Sequence, residues 1–482
     1  MFWRGVLGYL PVNLAQGVIG LLTIVVFTRL LSPEAYGAYA LAFSVMILAH
    51  TALFTWLEAS MARFQAQAQQ RGETADHMAT LYRAWSMLGL GFPLLAALAV
   101  WLAPIHHPLK VAICASLVAI LFRTLTKLVQ ERRRADGEVA SAATLDIVQT
   151  VGGFAVGAVL TAVGMGAAGP FLGFSLVSAI SVAAVLPREL AMTRGGQFQA
   201  ARLKTYAAYG LPVSLSLILS LVIATTDRFV LAAYLGEATV GVYHAGYSLA
   251  NRTLDVVFVW LGMAGGPAMV AALERGEPGA MKATAREQAS FMVLLTLPAT
   301  VGLALVARPL SELLVGPAMA DGAAHVTPWI AAGGFFSGIT TYYLHQAFTL
   351  GRRTGLLLLA MTFPAGLNLA LNLVLVPRFG IDGAMWATAA SYAAGALASW
   401  GLGRRVIDLP LPLDTLLKAG LACVPMALVV SSLPALGGIA ELAMKAGAGA
   451  LLFGGGAWML DAGGLRTHTA SLIGVLRPKA AA

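Results

Sequence analysis

The chain has 482 residues, 59% of them hydrophobic and 11% charged, with a mean hydropathy of +0.79. Soluble domains carry about 25% charged residues, so a water-soluble fold of this composition could not cover its own surface. The formal charge of +9 does not call for nucleic acid, because the Lys and Arg that collect in cytoplasmic loops of membrane proteins make such chains basic on their own.

The 52 glycines agree with a membrane solvent, where Gly is more frequent in helices than in water. Cys114 and Cys423 each lie inside an apolar stretch, which argues against a disulfide framework or a metal site, and no cofactor motif is evident. The first apolar stretch is longer than the 7–15 residues of a signal h-region and lacks a clear small-x-small site, so it reads as a span rather than a cleaved leader.

Stretches of about 20 mostly apolar residues predict an all-α polytopic membrane protein with about 14 spans. They fall near 5–28, 37–61, 84–104, 108–128, 141–163, 168–187, 206–234, 239–264, 288–308, 325–347, 355–376, 383–401, 414–433 and 438–460. The loops test this count. With the N-terminus inside, the inner segments hold Arg63, Arg71, Arg83, Arg132, Arg133, Arg134, Arg188, Arg194, Arg202, Lys204, Arg275, Lys282, Arg286, Arg352, Arg353, Arg404 and Arg405. The outer ones hold few, among them Arg29, Lys110, Arg308 and Arg378. About 24 of the 31 Lys and Arg fall inside, and a wrong count would scramble the alternation. It stays coherent to Arg466, Arg477 and Lys479, so both termini are expected in the cytoplasm. No loop is long enough to hold a soluble domain.

An internal repeat divides the chain. Tyr9-Leu10-Pro11-Val12 is matched by Gly210-Leu211-Pro212-Val213, and Leu31 to Tyr39 by Leu235 to Tyr243, each ending in Gly-x-Tyr. Six spans separate the copies, so both enter the membrane from the same side. That is a parallel repeat, an arrangement in which transporters place substrate at the repeat interface. The Gly of each Gly-x-Tyr is expected to turn the backbone into the next helix, and the Tyr to sit at the outer interface.

Three segments carry a family resemblance. They are Thr28-Arg29-Leu30-Leu31-Ser32-Pro33-Glu34-Ala35-Tyr36-Gly37-Ala38-Tyr39; Asp227-Arg228-Phe229-Val230-Leu231 with Gly241-Val242-Tyr243; and Asn372 to Ala384, with Pro377, Gly380 and Gly383. With them the chain resembles the Wzx-type polysaccharide flippases of the multidrug/oligosaccharidyl-lipid/polysaccharide exporter superfamily. The resemblance implies two pseudo-symmetric six-helix bundles in a V, 1–200 and 201–405, with helices 13 and 14 and a cytoplasmic tail in 406–482. It also implies a central cavity, and a substrate of oligosaccharide on undecaprenyl diphosphate, moved from the cytoplasmic to the periplasmic leaflet of a bacterial inner membrane. Membrane lipids and other glycan-assembly membrane proteins are the partners it suggests.

Moving a diphosphate across about 30 Å of hydrocarbon calls for cations, and Arg binds phosphate bidentately without losing its charge. Arg252, midway along span 8 with His244, Asn251 and Asp255, is the foremost candidate; Arg252 and Asp255 could equally neutralise each other at i, i+3. Arg123 and Lys127 near the inner end of span 4 could meet the diphosphate or snorkel to the interface. Arg132 to Arg134 read as topology and anionic-lipid contact. His50 and Glu58, placed two turns apart in span 2, could take up protons or bond between helices. Asp227 and Arg228 could gate the outer end of span 7 or mark its interface. Tyr342, Tyr343, His345 and Gln346 in span 10 suit sugar binding or an aromatic belt. Asn13, Gln16, Asn368 and Asn372 could line a cavity or bond between helices, and Lys445 with Glu441 reads as structural.

Three alternatives share these features in part. A cation-coupled multidrug exporter of the same superfamily would carry about twelve helices and acidic residues for a cationic drug. A peptidoglycan-precursor flippase is a second. A membrane glycan polymerase or ligase would need a sizeable outer loop with Arg, His or acidic groups, and none is present; no nucleophile motif or phosphate-cradling loop is seen either. On this reading, Arg252→Ala should abolish glycan transport at normal protein level, measured by glycan export alongside immunoblotting; unchanged transport removes Arg252 from the site.

Overall fold

The computed structural model describes residues 2–275 and 279–466. Arg477 and Lys479, used above to place the tail, lie outside these residues. The described chain is helical without a strand, as a membrane demands: in hydrocarbon every backbone N–H and C=O must be satisfied within its own segment.

Among the described residues, ten stretches are long and apolar enough to cross a bilayer. One of them, Val139–Ala191, is 53 residues long, about 80 Å if straight. It reverses instead at Gly164 and Gly166, whose φ angles of +100° and +53° suit only glycine. Expected spans 10, 12 and 14 are helical but not apolar enough to qualify, so by length and composition the structure supports ten stretches and not a full count of fourteen.

The chain forms two compact units, Met1–His244 and Ala245–Ala482. The first begins with α1 (Phe2–Leu30), α2 (Pro33–Leu53), α3 (Thr55–Gln70), α4 (Thr74–Leu102) and α5 (His107–Ala135). It continues through α6 (Val139–Ile147), α7 (Gly153–Leu160), α8 (Gly169–Ala191) and α9 (Ala200–Leu235) into the start of α10 (Glu237–Glu274). α5 is its centre, packed by α2, α3, α4, α6 and α8. α7 and α8 form a tight hairpin: a Cβ on Gly173 would overlap the Gly157 backbone, and one on Gly157 would stand 3.0 Å from Pro170 Cα.

The second unit takes in the rest of α10, then α11 (Ala280–Leu305), α12 (Ala307–Leu314), α13 (Pro317–Ile339) and α14 (Gln346–Leu350). α15 (Thr354–Phe379), α16 (Ile381–Gly403), α17 (Leu413–Ser432) and α18 (Gly438–Met459) complete it. α16 packs between α13 and α15, and α17 and α18 pair beside α11.

Both units invert the soluble pattern. Leu94, Leu95, Leu98 and Leu102 of α4 and Leu417, Leu421 and Leu428 of α17 are exposed. Ser44, Thr124, Thr126, Ser175, Thr296, Thr327 and Ser391 are buried. Each of these hydroxyls donates to the carbonyl four residues earlier, so none is left wanting in the core.

Two local expectations are corrected. Span 2 is not one helix over 37–61: it breaks at Phe54 (φ −122°, ψ −28°) into α2 and α3. No Gly or Pro marks the break, and Trp56 Nε1–H donates across it to the Leu53 carbonyl at 2.9 Å. Nor do Gly37 and Gly241 turn the chain. Both are helical, one turn inside α2 and α10, and the turn before α10 is made by Gly236 at φ +82°. Tyr39 and Tyr243 are buried at 8% and 0% exposure rather than set in an outer belt.

Gly173→Leu should destabilise the protein by about 1–3 kcal/mol through overpacking, whereas Gly91→Leu, where a Cβ meets nothing within 4 Å, should not. Melting of both variants in detergent measures the difference; equal stability would refute the close hairpin.

Candidate functional site

The expected site residues fall into separate groups, and one group, in the first unit, assembles into a connected charged cluster. α2 supplies His50, α3 Glu58, and α5 both Arg123 and Lys127. The break at Phe54 matters here. Eight residues of straight helix would separate His50 from Glu58 by about 12 Å of rise. Across the bend, His50 Nε2 lies 2.7 Å from Glu58 Oε1. Arg123 Nε–H donates to His50 Nδ1 at 3.2 Å. An arginine can only donate, so Nδ1 is the acceptor and Nε2 carries the proton that reaches Glu58. The result is a directed chain from Arg123 through a neutral imidazole to a carboxylate.

α5 extends to Ala135, beyond the expected end of span 4, which places Arg123 about 18 Å from the helix end. Arg123 is held against His50 of α2 rather than extended along α5 toward the helix end. Its guanidinium lies 5.7 Å from the Phe174 ring centroid, a contact that holds the cation's plane. No described residue accepts from its Nη1 or Nη2, and the side chain is only half-buried. Lys127, one turn further on, pairs with Asp146 at 3.5 Å. Arg134 reaches the other Asp146 oxygen at 3.3 Å and Glu131 at 2.6 Å.

Arg132 is the contrast. It is 5% exposed; Nε and Nη2 donate to Glu189 at 2.8 and 3.0 Å, and Nη1 to Asp136 at 2.5 Å. Tyr82 also donates to Glu189, at 3.3 Å. A guanidinium used on every edge, deep between α5 and α8, is a clamp rather than a lipid contact or a ligand site. This corrects its reading as a surface charge.

The other expected residues lie elsewhere. In the first unit Asp227 and Arg228 of α9 are buried. Asp227 accepts from Tyr243 Oη at 2.5 Å, and Arg228 donates to the Ala224 carbonyl at 2.8 Å; His244 stacks near Tyr36, with ring centroids 5.5 Å apart. In the second unit Arg252 and Asp255 are exposed on α10, with Asn251 half-buried beside them. Tyr342 stacks on Phe258 at 6.0 Å and 9°. Tyr343 is 1% exposed, its hydroxyl donating to the Pro410 carbonyl at 2.6 Å. His345 Nε2 is 3.3 Å from Ser399 Oγ. Gln346 and Gln288 both donate to the Tyr342 carbonyl, at 2.5 and 3.3 Å, beside the π-helical turn Thr340–Leu344. Asn372 donates to the Asn368 carbonyl at 2.9 Å, while Asn13 and Gln16 are exposed.

Sequence reasoning missed Asp146, Asp136 and Glu189. Asp146 stood in plain view as an acidic residue in expected span 5, the kind of intramembrane charge that marks a site or a pair. Glu189 and Asp136 sat at span ends, where a carboxylate ordinarily reads as a solvated loop residue.

The chain matches a family described as polysaccharide biosynthesis proteins over residues 26–321. No match was found among curated proteins. Its fold is similar to that of the lipid II flippase MurJ in an inward closed conformation, with a TM-score of 0.76 at 13% identity, covering 93% of this chain and 98% of that one. It is also similar to an inward-facing multidrug resistance MATE transporter of the MOP superfamily, at TM-score 0.64, 15% identity, and coverage of 82% and 93%. A MOP superfamily transporter from Pyrococcus furiosus matches at TM-score 0.55, 14% identity, and coverage of 83% and 92%.

Arg132→Ala leaves Glu189 buried without its main cation, which costs about 3–5 kcal/mol. Arg404→Ala, which removes an exposed pair with Asp408, should cost under about 1 kcal/mol. Chemical denaturation in detergent should separate the two; similar losses would refute the clamp.

Proposed function

Because the chain belongs to the polysaccharide biosynthesis protein family, we propose that it is a flippase that carries oligosaccharide linked to undecaprenyl diphosphate from the cytoplasmic to the outer leaflet of a bacterial inner membrane, with both its termini in the cytoplasm. It is a multi-pass membrane protein with the fold of MOP-superfamily transporters, and its family points to glycan assembly rather than to drugs.

The observation that carries the reading is Arg123. Its Nε is used to hold it against His50, while the two Nη groups are left for a ligand. Two N–H groups on one planar edge match two oxygens of a phosphate. Lys127, about 6 Å further along the helix and paired with Asp146, is the proposed contact for the second phosphate. Both cations need compensation when no anion is present, since a bare charge in a bilayer costs about 2.5–3.5 kcal/mol on insertion scales. Glu58, relayed through His50, and Asp146 supply it. An arriving diphosphate competes with these carboxylates for the two cations. The polyprenyl tail stays in lipid. Arg252, with Asn251 and Asp255 on α10, is the second proposed contact, and the repeat of the two halves fits transport by alternating access.

Arg123→Ala should lower glycan flipping in proteoliposomes by about 100-fold, and Arg123→Lys should recover little of it, because Lys lacks the bidentate fork. Flipping by Arg123→Ala within twofold of wild type would remove this site. Deletion of the gene should cause lipid-linked glycan to accumulate on the inner leaflet; normal glycan export in that strain would overturn the assignment.

A further inference from the structure

Two turns of the second unit are clasped together and carry arginines at the clasp. The turn after α14 brings Gly351 against Val406, in the turn after α16: a Cβ on Gly351 would overlap Val406 Cγ1. About one helical turn deeper, His345 Nε2 lies 3.3 Å from Ser399 Oγ, and a Cβ on Gly403 would stand 3.3 Å from Ala347 Cβ. The clasp gathers Arg352 and Arg353 from the first turn with Arg404 and Arg405 from the second, all exposed. Asp408 is the one carboxylate in residues 349–355 and 399–409, and it pairs with Arg404 at 3.5 Å and with Lys282 at 3.9 Å. The surface of the clasp is therefore strongly cationic.

Arg352 stands where a glycine is expected. Its φ is +54°, and the Arg353 N–H donates to the Phe348 carbonyl at 2.8 Å, the bond that closes a helix through a left-handed residue. Gly is the usual occupant of that position, because a Cβ is disfavoured there. Gly351, immediately before it, has φ −79° and serves the contact with Val406 instead. An arginine kept in a strained conformation points to a task for its side chain. Arg404 is also oriented: its guanidinium lies 5.1 Å from the Trp400 ring centroid, a cation held against an indole, the ring that favours the membrane–water interface. Apolar surface adjoins the cluster. Leu359 of α15 and Leu397 of α16, each about two turns from the arginines, are 54% and 68% exposed, on helices that pack against each other.

We propose that Arg352, Arg353, Arg404 and Arg405 form a binding site for an anionic glycerophospholipid, its phosphate held by the guanidinium forks and an acyl chain laid along Leu359 and Leu397. A soluble anion would use the arginines but not the apolar surface beside them. A zwitterionic lipid would use the apolar surface but bring its own ammonium toward the cations. The bound headgroup bridges the two turns, so it ties α16 to the turn between α14 and α15 and stabilises the second unit. Its place in the cytoplasmic leaflet, where anionic headgroups meet clustered arginines, rests on the orientation proposed above; the binding itself does not depend on the flippase reading.

The test uses the full chain purified in a neutral detergent and reads its melting temperature with phosphatidylglycerol or phosphatidylcholine added at equal concentration. Phosphatidylglycerol should raise the melting temperature by about 4 °C or more over phosphatidylcholine, and by less in about 0.5 M salt, which screens exposed charges. Arg352→Gly relieves the left-handed strain and so keeps the fold: without lipid it should melt no lower than wild type, yet lose about half or more of the phosphatidylglycerol shift. Arg353→Gln combined with Arg405→Gln should lose most of the shift, whereas Arg71→Gln, at an exposed arginine of the first unit, should keep it. Equal shifts by the two lipids in wild type, or equal phosphatidylglycerol shifts in wild type and the cluster variants, overturn the site. Glycerol 3-phosphate carries the phosphate without acyl chains and should give no shift at the same concentration; a shift as large as that of phosphatidylglycerol overturns the lipid as occupant in favour of a soluble anion. A shift produced by undecaprenyl diphosphate but not by phosphatidylglycerol, and lost in the cluster variants, likewise overturns it.

Discussion

A permanent cation in the interior of a membrane protein must be held, compensated and given something to do. Arg123 meets the first two conditions with a single arrangement: His50 takes its Nε–H, and Glu58 takes the His50 proton. That chain exists because the helix breaks at Phe54, which brings Glu58 back toward His50. The bend, the imidazole and the guanidinium depend on each other. Straightening the helix would leave Glu58 about two turns away and Arg123 without its relay to a carboxylate.

The surrounding charges sort by how completely they are used. Arg132 spends its guanidinium on Glu189 and Asp136, and so fixes α8 against α5. This clamp lies two to three turns along α5 from Arg123. It sets the frame in which Phe174 of α8 can face the Arg123 guanidinium. The clamping arginine and the arginine proposed to meet a ligand thus sit on one helix, told apart by whether their donors are already occupied. Burial alone would not separate them.

Composition and hydropathy were enough to read a polytopic helical membrane protein, because lipid imposes helices on any apolar chain that long. The reversal within Val139–Ala191 was legible as two spans separated by glycines, and the charge pattern of the loops agreed. The break at Phe54 was not legible. Leu53-Phe54-Thr55 carries no helix breaker, and the bend is held by tertiary bonds that a one-dimensional pattern does not contain. Gly37 and Gly241 were found as a repeat but given the wrong job. A glycine before a helix usually serves φ, and only coordinates reveal that a helical glycine is yielding space to another backbone. His50, Glu58, Arg123 and Lys127 were each visible as charges in apolar stretches. Their convergence was not, and Asp146, which completes the balance, was overlooked although it had the same signature.

Arg123 is proposed to receive a diphosphate. The most direct measurement is the affinity of purified protein in nanodiscs for undecaprenyl diphosphate and for undecaprenol, in wild type and Arg123→Met. The account predicts that wild type prefers the diphosphate by about tenfold or more, and that Arg123→Met loses this preference while binding undecaprenol as before. Equal preference for the diphosphate in both proteins would contradict it.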